Sequence, residues 1–272
     1  MRELERELPT DAARVAEQPP IPPLAVIGPG RVGRSIAAAA QRAGIAVRLA
    51  GRDDAVDACR ESEAALLCVP DGEIAYACGA IAAAAPPLRF VGHTSGATAL
   101  DRLAPVRAAG AELFSLHPLQ TIPDGKTELA GAPCAVAGSS DSAVELAREL
   151  ATRLGMRPFE VPEKRRAAYH AAAAMASNLL VALEESAAEL LNRAGVDPPA
   201  RELLAPLVLR TAANWAERGP DALTGPIARG DAETIERHLE ALREAAPELL
   251  PVYEALTERA QAVAAAPAEA AR

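Results

Sequence analysis

Residues 24–53, LAVIGPGRVGRSIAAAAQRAGIAVRLAGRD, constrain the fold more than any other stretch. Four apolar residues lead directly into glycines at 28, 30 and 33, then a helix-length, alanine-rich segment and a second apolar run. The pattern is a strand, a tight turn, a helix opening on that turn and a return strand, which together start a parallel βαβ unit. Gly28 permits the turn, Gly30 lets a pyrophosphate approach the backbone, and Gly33 lets helix and strand pack closely. The helix N-terminus offers unpaired N–H groups and the positive end of its dipole to phosphates. Gly28, Pro29, Gly30, Arg31, Val32 and Gly33 are therefore the expected cradle of a dinucleotide.

Which dinucleotide is bound depends on the end of the second strand, LAGRD (49–53). Arg52 stands about twenty residues past the loop, where it can meet a 2′-phosphate through a charge-assisted contact. Arg31 adds positive charge within the loop, and the reading favours NADP(H). Asp53 would serve a ribose 2′-hydroxyl, and so NAD(H), if the strand ended a residue or two later.

The alternation continues along the first half. Strands are expected at 24–28, 46–50, 64–69, 89–93, 111–115, 133–137 and 157–161, most of them separated by helical stretches that close on a glycine. After Pro162 it stops. Residues 163–195 contain no proline or internal glycine until the last position, and read as one helix of about eight turns or two with an inconspicuous break. Further helices are expected at 199–218, 231–246 and 248–265. The fold class is α/β: a Rossmann-type, doubly wound, mainly parallel sheet over 23–162, followed by an all-α domain over 163–272.

Composition narrows the function. The 272 residues are half hydrophobic but only 3% aromatic, so the interior must consist of aliphatic side chains and closely packed alanine helices. A net charge of −9 argues against a nucleic-acid surface, which needs a basic face. Cys59, Cys68, Cys78 and Cys134 form no CxxC pair and read as buried small hydrophobes, with no metal site expected. No stretch reads as a membrane span, and residues 1–22 read as a charged, proline-ended, disordered extension without a signal-peptide core, so the expected location is the cytoplasm.

Ligands of doubly wound folds lie beyond the carboxyl ends of the strands. There CVPDGEI (68–74) places Val69 and Pro70 beside the cofactor, HTSGA (93–97) presents His93, Thr94 and Ser95, and HPLQT (117–121) presents His117 and Gln120. The hydroxyls of Thr94 and Ser95 could equally cap the next helix. In KRRAAYHAAAAMASN (164–178), Arg166 precedes His170 by a turn, and His170, Ser177 and Asn178 would share one broad face of a continuous helix. Carbonyl reduction needs a proton donor, which suits histidine, and an amide can orient the carbonyl. Lys164 reads as a proton donor or an exposed helix start, His238 as a surface or interface residue, and Arg229 as a carboxylate contact or part of a connecting loop with Asp231 as N-cap.

GPGRVG, VPDGEI, HTSGA, HPLQT, YHAAAAMASN and ALTGPIARGD, in this order, resemble a family of Rossmann-like oxidoreductases with a C-terminal helical domain of unknown function. The resemblance runs from about Leu24 to the last helices. That family is similar to 6-phosphogluconate dehydrogenase-like enzymes, pyrroline-5-carboxylate reductase and prephenate dehydrogenase. It implies an NADP-linked reductase or dehydrogenase whose helical domain forms a homodimer and closes the active-site cleft. By likeness to prephenate dehydrogenases, which carry His-Pro after a late strand, His117 would face the reacting oxygen with Ser95 nearby, and His170 and Asn178 would come from the helical side. Lys164 lies too far before Asn178 to reproduce the Lys-x-x-Asn pair of β-hydroxyacid dehydrogenases, so that lysine's role is not carried over. Some members resemble alternative ketopantoate reductases, which makes a small keto or hydroxy acid the expected substrate. The competing readings are a non-catalytic NADP-binding regulator and a prephenate or arogenate dehydrogenase.

Overall fold

The structure is a computed structural model that describes residues 21–266, so nearly all of the expected N-terminal extension lies outside the described residues. The chain forms two compact units that part between Ala173 and Ala174. The division falls inside a helix, later than the boundary expected at Pro162.

In the first unit β1 (Leu24–Ile27), α1 (Arg31–Arg42), β2 (Val47–Ala50), α2 (Ala55–Arg60), β3 (Ala64–Leu67), α3 (Ile74–Ala84), β4 (Phe90–His93), α4 (Ala104–Ala108), β5 (Glu112–Pro118), β6 (Pro133–Gly138), α5 (Asp141–Arg153) and β7 (Arg157–Glu160) follow in order. The strands make one sheet, in the order β2-β1-β3-β4-β5-β6-β7. β1 and β3 are continuous apolar runs buried at every position, as strands covered on both faces must be.

Alternate side chains feed two cores. Leu24, Val26 and Leu66 pack with Ile36 and Ala40 of α1 on one face, and Ala25, Ile27 and Leu67 pack with Ile74, Cys78 and Ile81 of α3 on the other. All four cysteines are buried and unpaired, in keeping with their reading as small core residues.

β2 and β3 flank β1 on opposite sides, so the winding reverses there and opens a crevice at the carboxyl ends of β1 and β3. Two features differ from the expected run of parallel units. β6 pairs antiparallel with β5, and no helix connects them. β5 also extends to Pro118, beyond the expected end at residue 115, so His117 is a strand residue and not a loop residue.

α6 (Arg166–Ala176) begins in the first unit. The second contains α7 (Asn178–Arg193), α8 (Ala200–Arg218), α9 (Gly225–Arg229), α10 (Ala232–Ala245) and α11 (Leu250–Ala265). Of the two expectations for 163–195, one helix or two with a break, the second holds: Ser177, at φ −130° and ψ −78°, interrupts the helix. The single face proposed for His170, Ser177 and Asn178 therefore does not form. Asp231 caps α10 by accepting the Thr234 N–H at 3.1 Å, the structural reading of that loop.

Among the described residues of the second unit only Ala200, Leu242, Ala246 and Thr257 are buried, while Met175, Leu179, Leu207, Leu209 and Trp215 are exposed. No helix among the described residues is long and apolar enough to cross a membrane.

Candidate active site

The three glycines of the first loop have different surroundings. Gly28 adopts φ +114°, and a Cβ there would lie 2.4 Å from the Cys68 carbonyl oxygen. A Cβ on Gly33 would lie 2.0 Å from the Gly28 oxygen, so α1 seats on β1 only because both positions lack side chains. A Cβ on Gly30 would meet nothing within 4 Å. The middle glycine borders open space, as a cradle for a bulky ligand requires. α1 starts beside it at Arg31 with no acidic residue in its first turn, which leaves the positive helix end un-neutralised. Val69 and Pro70 leave β3 across the crevice.

Arg52 is exposed just past β2. It donates to the Glu73 carboxylate at 3.2 Å and stacks over the Tyr76 ring at 5.4 Å. Its guanidinium is thus held at the surface by a weak, solvent-screened pair that an anionic ligand can displace.

A second group of polar residues gathers at the carboxyl edge of β3, β4 and β5. The register sets Leu67 beside His93 and His93 beside Ser115, and His117 lies two residues further along β5. α6 adds Arg166, Tyr169 and His170 to the same unit.

His117 and His170 stand edge to face, with ring centroids 5.7 Å apart. His117 Nδ1 is 2.7 Å from the Tyr169 hydroxyl. Burial first, then the neighbouring His170 and Arg166, pushes His117 down to about 4, while burial pushes Tyr169 up to about 12. Both groups are neutral near pH 7. Of the sequence candidates, Ser95, His117 and His170 come together, whereas Asn178 opens α7 in the second unit.

The Ser95 hydroxyl is fully occupied. It donates to Asp71 Oδ2 at 2.8 Å and accepts the backbone N–H groups of Ala97 and Thr98 at 3.3 and 2.9 Å. Its role is to fix the turn after β4 to the Asp71 segment after β3. Arg166, 2% exposed, donates to Ser115 Oγ at 2.8 Å and to the Ser95 carbonyl at 2.7 Å, with Glu163 3.8 Å away. This buried cation locks α6 to β4 and β5. His93 is completely buried, and neither ring nitrogen has a hydrogen-bond partner among the described residues. Burial, with Arg166 adding to it, lowers its pKa to about 4.

Gln120 donates to the Glu128 carbonyl at 2.9 Å, His238 pairs with Tyr253 at 2.7 Å, and Lys164 lies exposed in the turn before α6.

Tyr169, Asp71 and Gly96 were not singled out by sequence reasoning. A Cβ on Gly96 would lie 2.7 Å from His170 Nδ1 and 2.8 Å from His117 Nε2, so only glycine lets the two rings approach. The available signals were adjacency alone: Tyr169 precedes His170, and Gly96 follows His-Thr-Ser.

Comparison with known proteins agrees with this architecture. Residues 47–118 match the Rossmann-like domain, and residues 132–260 match the domain of unknown function DUF2520. No curated protein matches the chain by sequence. Among solved structures, a candidate NADP oxidoreductase from Bacteroides fragilis is 22% identical at a TM-score of 0.72, covering 89% of this chain and 98% of its own. Protein TM1727 from Thermotoga maritima is 20% identical at a TM-score of 0.70, with the same coverage of 89% and 98%. A reductive aminase from Aspergillus terreus, in complex with NADPH and ethyl-5-oxohexanoate, is 19% identical at a TM-score of 0.64, covering 88% and 93%. At these identities the likeness is one of fold. The chain is thus similar to a Rossmann-like domain in its first half and to DUF2520 in its second.

Proposed function

We propose that the chain is an NADP(H)-dependent oxidoreductase that moves a hydride between the nicotinamide and a small keto or hydroxy acid, with ketopantoate a candidate substrate. The observation that carries this reading is the convergence of two histidines on Gly96, at the carboxyl edge of the sheet whose first turn is the glycine loop. A binding-only protein has no need of such a pair, which favours an enzyme over a regulator. The open space at Gly30 and the unopposed start of α1 fit a pyrophosphate, and Arg52 beside Tyr76 fits the 2′-phosphate end. When bound, the dinucleotide supplies or accepts the hydride. His117 faces the substrate oxygen and handles its proton beside His170, and Arg166 and Ser95 hold the supporting segments still.

The protein acts as a homodimer in this reading. A helical unit with four buried residues among those described has little core of its own, and the exposed leucines and Trp215 spread around α8 suit burial against a second copy of the chain.

The test is fluorescence titration with NADPH and NADH, followed by loss of 340 nm absorbance against a panel of α-keto acids that includes ketopantoate, with oxidation of prephenate assayed in parallel. NADPH-selective binding with turnover on a keto acid supports the reading. Turnover on prephenate alone would move it to the dehydrogenase class, and binding without any turnover would favour a regulator.

A further inference from the structure

We propose that Tyr169 is a positioning residue that locks His117 in the tautomer carrying its proton on Nε2, so that the ring meets a substrate oxygen as a neutral hydrogen-bond donor. This rests on the reading of His117 as the residue that faces the reacting oxygen.

The argument is one of donors and acceptors. The Tyr169 hydroxyl keeps its proton at neutral pH and lies 2.7 Å from His117 Nδ1, its hydrogen-bond partner among the described residues. If Nδ1 carried the proton it would donate to the phenol, and the phenol's own proton would have no second partner among the described residues. If Nδ1 is bare, the phenol donates to it and both groups are satisfied. The remaining imidazole proton must then sit on Nε2. A doubly protonated ring is disfavoured near neutral pH, because burial opposes the charge and the Arg166 guanidinium repels it.

The scaffold enforces the orientation. The Tyr169 ring packs edge-on to His117, with centroids 5.6 Å apart, and against Phe159 at 6.0 Å, while Gly96 lies against the Nε2 side. Neither ring can rotate freely.

In the reductive direction Nε2 would give its proton to the substrate oxygen as the carbonyl is reduced. As Nε2 gives up its proton, Nδ1 takes the Tyr169 proton; water then returns a proton to Nε2, leaving hydroxide, and Nδ1 hands its proton back to the phenolate, which restores the starting tautomer without an imidazolium.

The test is the ¹⁵N spectrum of the histidines in the full chain near pH 7.5, with the His117 signals assigned by their loss in His117→Asn. The expected result is an unprotonated, hydrogen-bonded Nδ1 and a protonated Nε2. In Tyr169→Phe the signals should move toward a mixture of tautomers, while NADPH affinity stays within about twofold. A protonated Nδ1 in the wild-type spectrum overturns the proposal, as does an unchanged tautomer in the variant. If Tyr169→Phe does not fold, a protonated Nδ1 in the wild-type spectrum still overturns the proposal. A protonated Nε2 in a protein with no reductase activity would support the lock and sink the proposed reaction instead.

Discussion

His117 and His170 approach each other across the α-carbon of Gly96, which leaves no room for a methyl group between that carbon and either ring. Gly96→Ala must therefore displace at least one imidazole. We expect turnover to fall by roughly a hundredfold or more, since misplacement on the ångström scale costs that much, with a stability loss of about 1–3 kcal/mol. NADPH titration alongside steady-state kinetics would check this, and a variant with full turnover would separate the pair from the chemistry.

His93 and His117 both remain neutral in the folded chain down to about pH 4, whereas their ordinary value is near 6.5. Between those limits the unfolded chain takes up protons that the folded chain refuses. The associated stability is complete above about pH 6.5 and drains away as the pH falls toward 4, with His93 contributing roughly 3 kcal/mol at most. Urea unfolding at pH 7, 5.5 and 4.5 should show the decline, and His93→Leu should flatten it.

Arg166 ties Ser115 and the Ser95 carbonyl to the start of α6 from a fully enclosed position. Arg166→Met strands both partners, and a loss of about 3 kcal/mol in chemical denaturation is expected. Arg166→Lys should recover little, because an ammonium cannot reproduce the two-armed geometry.

If Arg52 meets the 2′-phosphate as proposed, its pairing with Glu73 at 3.2 Å competes with that contact. Glu73→Gln should tighten NADPH about two- to fivefold by freeing the guanidinium, and Arg52→Ser should erase most of the preference over NADH. Parallel titrations with both cofactors would read each change, and an unaltered ratio in Arg52→Ser would remove this residue from cofactor selection.

Leu207, 63% exposed on α8, offers a direct probe of self-association. Light scattering of Leu207→Glu should show a monomer with a lowered melting temperature, whereas the unaltered protein should run as a dimer.

Much of the first unit was legible because glycine spacing and continuous apolar runs are local signals: the turn after β1, the succession of strands along the chain and the burial of the cysteines all follow from them. The reversal between β5 and β6 was not legible, since a strand's apolar pattern is the same whichever way it runs. The length of β5 was hidden by His117, a polar residue on a strand end that reads as loop. The break at Ser177 carries no proline or glycine to announce it. Tyr169 and Gly96 take their meaning from long-range contacts, 52 residues apart for Tyr169 and His117, which no periodicity reports.

The break at Ser177 has a consequence for how such a protein can change. Every member of the histidine cluster, from Asp71 to His170, is encoded upstream of the point where the second unit begins. The cluster is therefore assembled by residues of the first unit alone, and the helices of the second can vary in length or composition without any of its residues being replaced.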